Sequence, residues 1–228
     1  MDPVIEIVSA TRLTQQEFLA KSALGQSLRR LQKDRRLRAA VAFSNSRGLP
    51  DVYNARITAP DGPQALVFVH DDVWIDDYFL AERVLEGLKT YDVIGVAGNR
   101  RRVPRQPAWA FIDEKRTWDQ RSNLSGRVAH GPRPFGSISD YGDSVSVECE
   151  LLDGVFLAAT RSTLVERGVL FDPRFDFHFY DMDFCRAARK AELRLGTWPV
   201  CLTHQSGGNF GADAWAEKYR LYLDKWAD

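Results

Sequence analysis

Short apolar runs alternate with amphipathic and turn-rich stretches through the first hundred residues, and this pattern predicts strands alternating with helices. A β-branched run at residues 4–9 opens the chain, and Thr14-Gln15-Gln16-Glu17 has the form of a capping box ahead of a helix carrying Phe18 and Leu19. Residues 38–43 read as a second strand, 52–57 as a short helix and Pro60-Asp61-Gly62-Pro63 as a turn. Residues 66–69 are all apolar, as in a parallel strand buried on both faces. Ile75-Asp76-Asp77 is expected to open the next helix, with Asp76 capping its first N–H groups, and residues 92–97 to form another strand. From 101 to 146 the chain turns rich in Pro, Gly, Ser and Arg, and its lack of period predicts an irregular insertion. Apolar runs at 151–159 and 198–203 then flank a helical pattern ending near Lys190. The expected class is α/β, with a mostly parallel central sheet flanked by helices.

A chain of 228 residues is long enough to bury a sizeable core. Its 31 basic and 31 acidic side chains balance, so nothing points to nucleic acid as a partner. The basic stretch at 29–38 reads as a solvated helix face and loop, or as a contact to an anionic lipid surface or glycan. Cys149, Cys185 and Cys201 form no Cys-x-x-Cys pair, which suggests ordinary thiols in a reducing compartment. No apolar run approaches the roughly 20 residues of a membrane span. A soluble, cytoplasmic protein is expected, with peripheral contact at the inner membrane face as an extension.

Candidate chemistry begins at His70-Asp71-Asp72, directly after the buried strand. Open α/β sheets bind ligands at the carboxyl ends of their strands. Carboxylates crowded there favour a divalent cation carrying phosphates, although an acidic pair can equally solvate a turn. Asp153-Gly154 interrupts an apolar run and would let backbone approach a ligand. Asp181 and Asp183 sit among Phe177, Phe179, Tyr180 and Phe184 at a helix start, a setting that suits a desolvated general base or ordinary first-turn acids. Trp109, Trp118, Arg121 and Arg127 are candidates to face a substrate or to pack the insertion. His204, at a strand end before Gly207-Gly208, is a candidate metal ligand or a hydrogen-bonded structural residue.

The order His-Asp-Asp, Leu-Asp-Gly-Val-Phe-Leu-Ala, Phe-Tyr-Asp-Met-Asp-Phe-Cys and Pro-Val-Cys-Leu-Thr-His resembles the GT-A fold glycosyltransferases of the family 2-like type. The resemblance runs from residue 8 to 204 with the insertion unmatched, and its strength lies in the order of four individually weak motifs. It implies one GT-A-like domain over 1–228, with a nucleotide-sugar half at about 1–100 and an acceptor and catalytic half at about 147–228. It implies a metal-dependent inverting transfer from a nucleotide-sugar donor to a glycan or lipid-linked acceptor. Asp72 would bind the metal with His204 completing the site, as Mn²⁺ or Mg²⁺. Asp181 would be the base and Asp183 would position the acceptor. Ser9, Ala10, Thr11, Arg12, Asn45 and Asn54 would meet the nucleotide, and His70, Asp71, Asp153 and Gly154 the rest of the donor. His70 stands where the family has its first aspartate, and Tyr180 where it often has Glu. A nucleotidyltransferase, or a degenerate domain binding sugar nucleotide or glycan without catalysis, are the alternatives; the first lacks its Gly-rich N-terminal phosphate loop here.

Overall fold

The computed structural model describes residues 4–142, 144–206 and 211–227. The first half contains β1 (Ile5–Ala10), α1 (Gln15–Lys21), α2 (Ala23–Leu31), β2 (Leu37–Ala42), α3 (Leu49–Ile57), β3 (Ala65–Val69), β4 (Val73–Ile75), α4 (Leu80–Gly87), β5 (Val93–Gly95) and β6 (Ala97–Asn99). The second contains β7 (Leu124–His130), β8 (Ser137–Asp140), β9 (Glu148–Cys149), β10 (Leu151–Leu152), β11 (Phe156–Thr160), α5 (Arg161–Glu166), α6 (Tyr180–Lys190), β12 (Leu195–Thr197), β13 (Leu202–His204) and α7 (Asp213–Trp226).

A seven-stranded sheet runs in the order β2-β1-β3-β11-β5-β12-β9. Five of the seven strands point the same way; β11 and β9 run against them, so β11 enters antiparallel between β3 and β5. A second sheet, β10-β6-β7-β13-β4, begins where the chain leaves the first at β4 and β6, and β8 pairs with β7. Every residue of β3 is buried, as its unbroken apolar run requires. One apolar core packs both sheets against the helices through Val67, Phe68, Ile94, Leu157, Tyr53 and Phe184.

Several local expectations hold. Thr14 caps α1 with the reciprocal Glu17 contact of a capping box, and α3 and α6 occupy the predicted helical stretches. Two do not. Asp76 caps no helix, because Ile75 stays in β4, paired with Leu202. Its carboxylate instead accepts from the Thr203 hydroxyl at 2.6 Å and from the Phe135 N–H, tying β4 to β13 and to the loop before β8. α4 starts only at Leu80, after Asp77 has accepted from the Phe79 N–H in a tight turn. The insertion is also more regular than its composition suggests, since β7 and β8 lie within it. β7 escapes a hydrophobicity pattern because it buries Ser125 and Gly126: Ser125 Oγ meets the Ser144 carbonyl and Thr197 Oγ1, and Gly126, at φ 98°, lies against the Val96 carbonyl with no room for a side chain. Asp119, 5% exposed, anchors the irregular part by accepting from Asn99, Arg101 and Asn123.

Candidate active site

Strand register brings the chemistry together. β3 ends at Val69, so His70, Asp71 and Asp72 emerge at its carboxyl end. The chain then enters β4, where Val73 pairs with His204 of β13, and His204 in turn pairs with His130 of β7. This places His204 Nε2 3.3 Å from an oxygen of Asp72. On the other side Phe156 of antiparallel β11 pairs with Val69, so Asp153 and Gly154, just before β11, also reach the end of β3. These residues line a cleft of about 650 Å³ with Trp109, Trp118, His130, Tyr141, Phe177 and Asp181.

His70, Asp72 and His204 form a group whose metal-ligating atoms all lie within 4.8 Å of one another. That donor set of two imidazoles and one carboxylate fits a divalent transition ion such as Mn²⁺ better than Mg²⁺, which prefers all-oxygen sites. Desolvation opposes charge on both Asp72 and His204, yet their hydrogen bond and mutual attraction prevail: Asp72 is held down at about 2 and His204 is raised. Burial lowers the pKa of His70, favouring the neutral ring that a ligand needs.

Asp181 faces the same cleft from the first turn of α6. The turn into α6 is unusual, because Phe179 adopts φ 65°, a left-handed conformation costly for a side-chain-bearing residue. Phe179 is buried against Trp215, Tyr219 and Tyr222, and that packing holds the strained turn. Asp181 accepts from the Gly154 N–H at 3.0 Å and the Met182 N–H at 2.8 Å. Burial, with the nearby charge of Asp153, nevertheless pushes its carboxyl up to about 6. Gly154 has to be glycine, because a Cβ there would collide with the Tyr180 hydroxyl and Asp181. Asp153 accepts from Trp109 Nε1 at 2.8 Å and from the Val155 N–H at 2.9 Å.

Asp183 departs from its expected place. It is 0% exposed, outside the cleft lining, with Lys225 Nζ 2.7 Å away and Trp226 Nε1 donating at 2.9 Å. Two residues along the helix carry it roughly 200° round from Asp181 and onto α7, so it secures that helix and lies outside the cleft lining. Lys225 also pairs with Asp172 at 2.8 Å, so removing Asp183 leaves the lysine charge partnered and deprives Trp226 Nε1 of its acceptor. Asp183→Ala is therefore expected to cost about 2 kcal/mol of stability, read as a lower denaturation midpoint, with α7 losing hydrogen-exchange protection first.

The predicted nucleotide residues divide. Ala10 and Asp71 line the cleft, whereas Ser9 and Thr11 are buried, Thr11 Oγ1 accepting from the Leu13 N–H. Arg12 is exposed and outside the lining. Asn45 closes a turn on Arg47, and Asn54 pairs through both amide atoms with the backbone of Phe171, so neither faces the cleft. Arg121 and Arg127 are taken up by Asp140. His130, Tyr141, His178 and Trp215 line the cleft without having been foreseen. His130, like His204, ends a strand, but no apolar alternation in the sequence marks β7 as one.

A β3 end carrying His70-Asp71-Asp72, a crossing second sheet and a carboxylate at the head of α6 define the GT-A glycosyltransferase fold, and comparison with solved structures shows that fold. GalNAc-T7, crystallised with UDP, GalNAc and Mn²⁺, matches over 99% of this chain and 50% of its own, at 13% identity and TM-score 0.53. The catalytic domain of Drosophila β1,4-galactosyltransferase 7, in complex with xylobiose, matches over 96% of this chain and 79% of its own, at 11% identity and TM-score 0.54. The mannosyltransferase PcManGT from Pyrobaculum calidifontis, in complex with GDP-Man and Mn²⁺, matches over 100% of this chain and 65% of its own, at 13% identity and TM-score 0.55. The chain thus spans half of the first and about two thirds of the third. No protein-family model and no curated protein sequence matches it.

Proposed function

We propose that the chain is a metal-dependent glycosyltransferase that moves a sugar from a nucleotide donor with inversion at the anomeric carbon. The observation that carries this reading is the pairing, across one cleft, of the His70, Asp72 and His204 group with a desolvated carboxylate at Asp181. His70, Asp72 and His204 would hold Mn²⁺ on the donor diphosphate, where the cation supplies charge stabilisation to the departing phosphate oxygens. Asp181 takes the proton of the acceptor hydroxyl as its oxygen bonds to the anomeric carbon, and the bond from that carbon to the phosphate oxygen breaks on the opposite face. Asp153, fixed by Trp109, lies beside this space and reaches the donor sugar. UDP with Mn²⁺ on GalNAc-T7 and GDP-Man with Mn²⁺ on PcManGT support the donor class.

Aromatic walls favour a glycan or lipid-linked sugar as acceptor: Trp118, 54% exposed, stacks on Tyr141, and Phe177, 51% exposed, stacks on His70. Among the described residues no helix is long and apolar enough to cross a membrane. Exposed Tyr78, against Arg30, and exposed Phe135, next to Pro134, adjoin a second cavity lined by Arg29, Arg30, Trp74 and Pro134, which supports peripheral contact with an anionic cytoplasmic membrane face.

A thermal-shift panel of nucleotide sugars with and without Mn²⁺ tests the reading. A true donor at a hundred times its Kd stabilises the protein by about 2.7 kcal/mol. The expected result is a melting shift for one nucleotide class only when Mn²⁺ is present; a panel with no metal-dependent shift would sink the proposal.

A further inference from the structure

The Tyr180 hydroxyl makes two hydrogen bonds with a single proton. Its oxygen is 2.7 Å from the Gly154 carbonyl and 2.8 Å from His70 Nε2. A carbonyl can only accept, so the Tyr180 proton belongs to the Gly154 bond. The second bond must then be donated by His70 through Nε2–H. A neutral imidazole carries one ring proton, which leaves the lone pair of His70 on Nδ1.

We propose that Tyr180 fixes His70 as its Nε2–H tautomer, making Nδ1 a direct ligand of the cation shared with Asp72 and His204, and that the same hydroxyl orients the base by holding Gly154, whose N–H donates to Asp181. This rests on the metal-site reading above and replaces the expected donor contact of His70. Metal-bound histidines characteristically donate their second ring N–H to an oxygen, which sets the tautomer and raises ligand basicity; here that oxygen is a tyrosine. Gly154, whose carbonyl accepts from Tyr180, also donates its own N–H, which belongs to the preceding peptide group, to Asp181 Oδ2 at 3.0 Å, so the glycine is held from both sides. The motif's departures at 70 and 180 are therefore one device: an imidazole ligand stands where the family has its first aspartate, and the residue before the base orients it. An imidazole nitrogen at this position also softens the donor set, which favours a transition ion such as Mn²⁺ over Mg²⁺.

Two measurements test it. Long-range ¹H–¹⁵N correlation spectra of histidine-labelled, metal-free protein at neutral pH are expected to show His70 protonated at Nε2 and bare at Nδ1; the reverse tautomer would overturn the inference. Calorimetry then compares Mn²⁺ affinity across variants. Tyr180→Phe is expected to weaken binding by about 10- to 100-fold, the usual effect of losing an outer partner of a metal ligand. Should that variant melt early, two substitutions at position 70 decide the matter. His70→Asn keeps an oxygen close to where Nδ1 stood and should retain measurable affinity, whereas His70→Gln places its amide near Nε2 and should lose about tenfold more. Equal affinity of wild type and His70→Gln overturns the inference alone. A wild type that takes up no Mn²⁺ overturns both it and the proposed metal site.

Discussion

Asp181→Asn is expected to lower kcat by about 10²-fold or more while donor affinity stays near wild type. A base on the acceptor hydroxyl acts in the transition state, so its removal appears in kcat and not in donor binding. Steady-state kinetics with calorimetric donor titration separates the two, and a variant with normal kcat would move the base to Asp153. The raised pKa adds a signature in pH. The ionised base accumulates as pH rises through about 6, so wild-type activity should climb between pH 5 and 7.5. Stability should move the opposite way. The unfolded carboxyl releases its proton near 3.8 and the folded one near 6, so folding is favoured at low pH and that contribution is lost as pH rises through about 6. Asp181→Asn cannot titrate, and its stability relative to wild type should improve between pH 4 and 7.5 by on the order of 3 kcal/mol. Denaturant unfolding at the two pH values measures this difference, which cancels any fixed cost of placing an amide beside two N–H donors.

What the sequence revealed follows from how local each signal is. The β3 strand and its acidic end were legible because an unbroken apolar run and a carboxylate pair are neighbours in the chain. The α6 setting of Asp181 was legible for the same reason. Asp183 misled because a first-turn acid has the same local surroundings whichever side of the helix it faces; only Lys225 and Trp226, some forty residues on, decide it. Asn54 misled likewise, since its partner Phe171 lies 117 residues away. β7 was missed because hydrogen bonds bury its Ser125, so no apolar alternation marks it. His70 and Tyr180 read as two separate departures from a family pattern. They are joined by one hydrogen bond between residues 110 apart in sequence, which no local pattern could reveal.

The second large effect concerns the cation. Asp72 supplies the carboxylate of the His70, Asp72 and His204 group, and with it the negative charge that draws a divalent ion to two neutral rings. Asp72→Asn is expected to reduce Mn²⁺ affinity at least a hundredfold, exceeding the 10- to 100-fold usual for outer partners, and to abolish the metal-dependent part of donor binding. The fold should survive. The Asp72 side chain is 32% exposed and its ion pair is with the partly buried His204, so solvent screens the lost ion pair and the cost is on the order of 1 kcal/mol. That contribution is present in a window set by both partners: it fades as pH falls through about 2, where Asp72 takes up its proton, and as pH rises through the elevated value at which His204 loses its own. Melting without metal should therefore differ little between wild type and Asp72→Asn near neutral pH, while the stabilisation gained on adding Mn²⁺ and donor together should vanish in the variant. Retention of that gain by Asp72→Asn would remove Asp72 from the metal site and leave the donor held by the cleft walls alone.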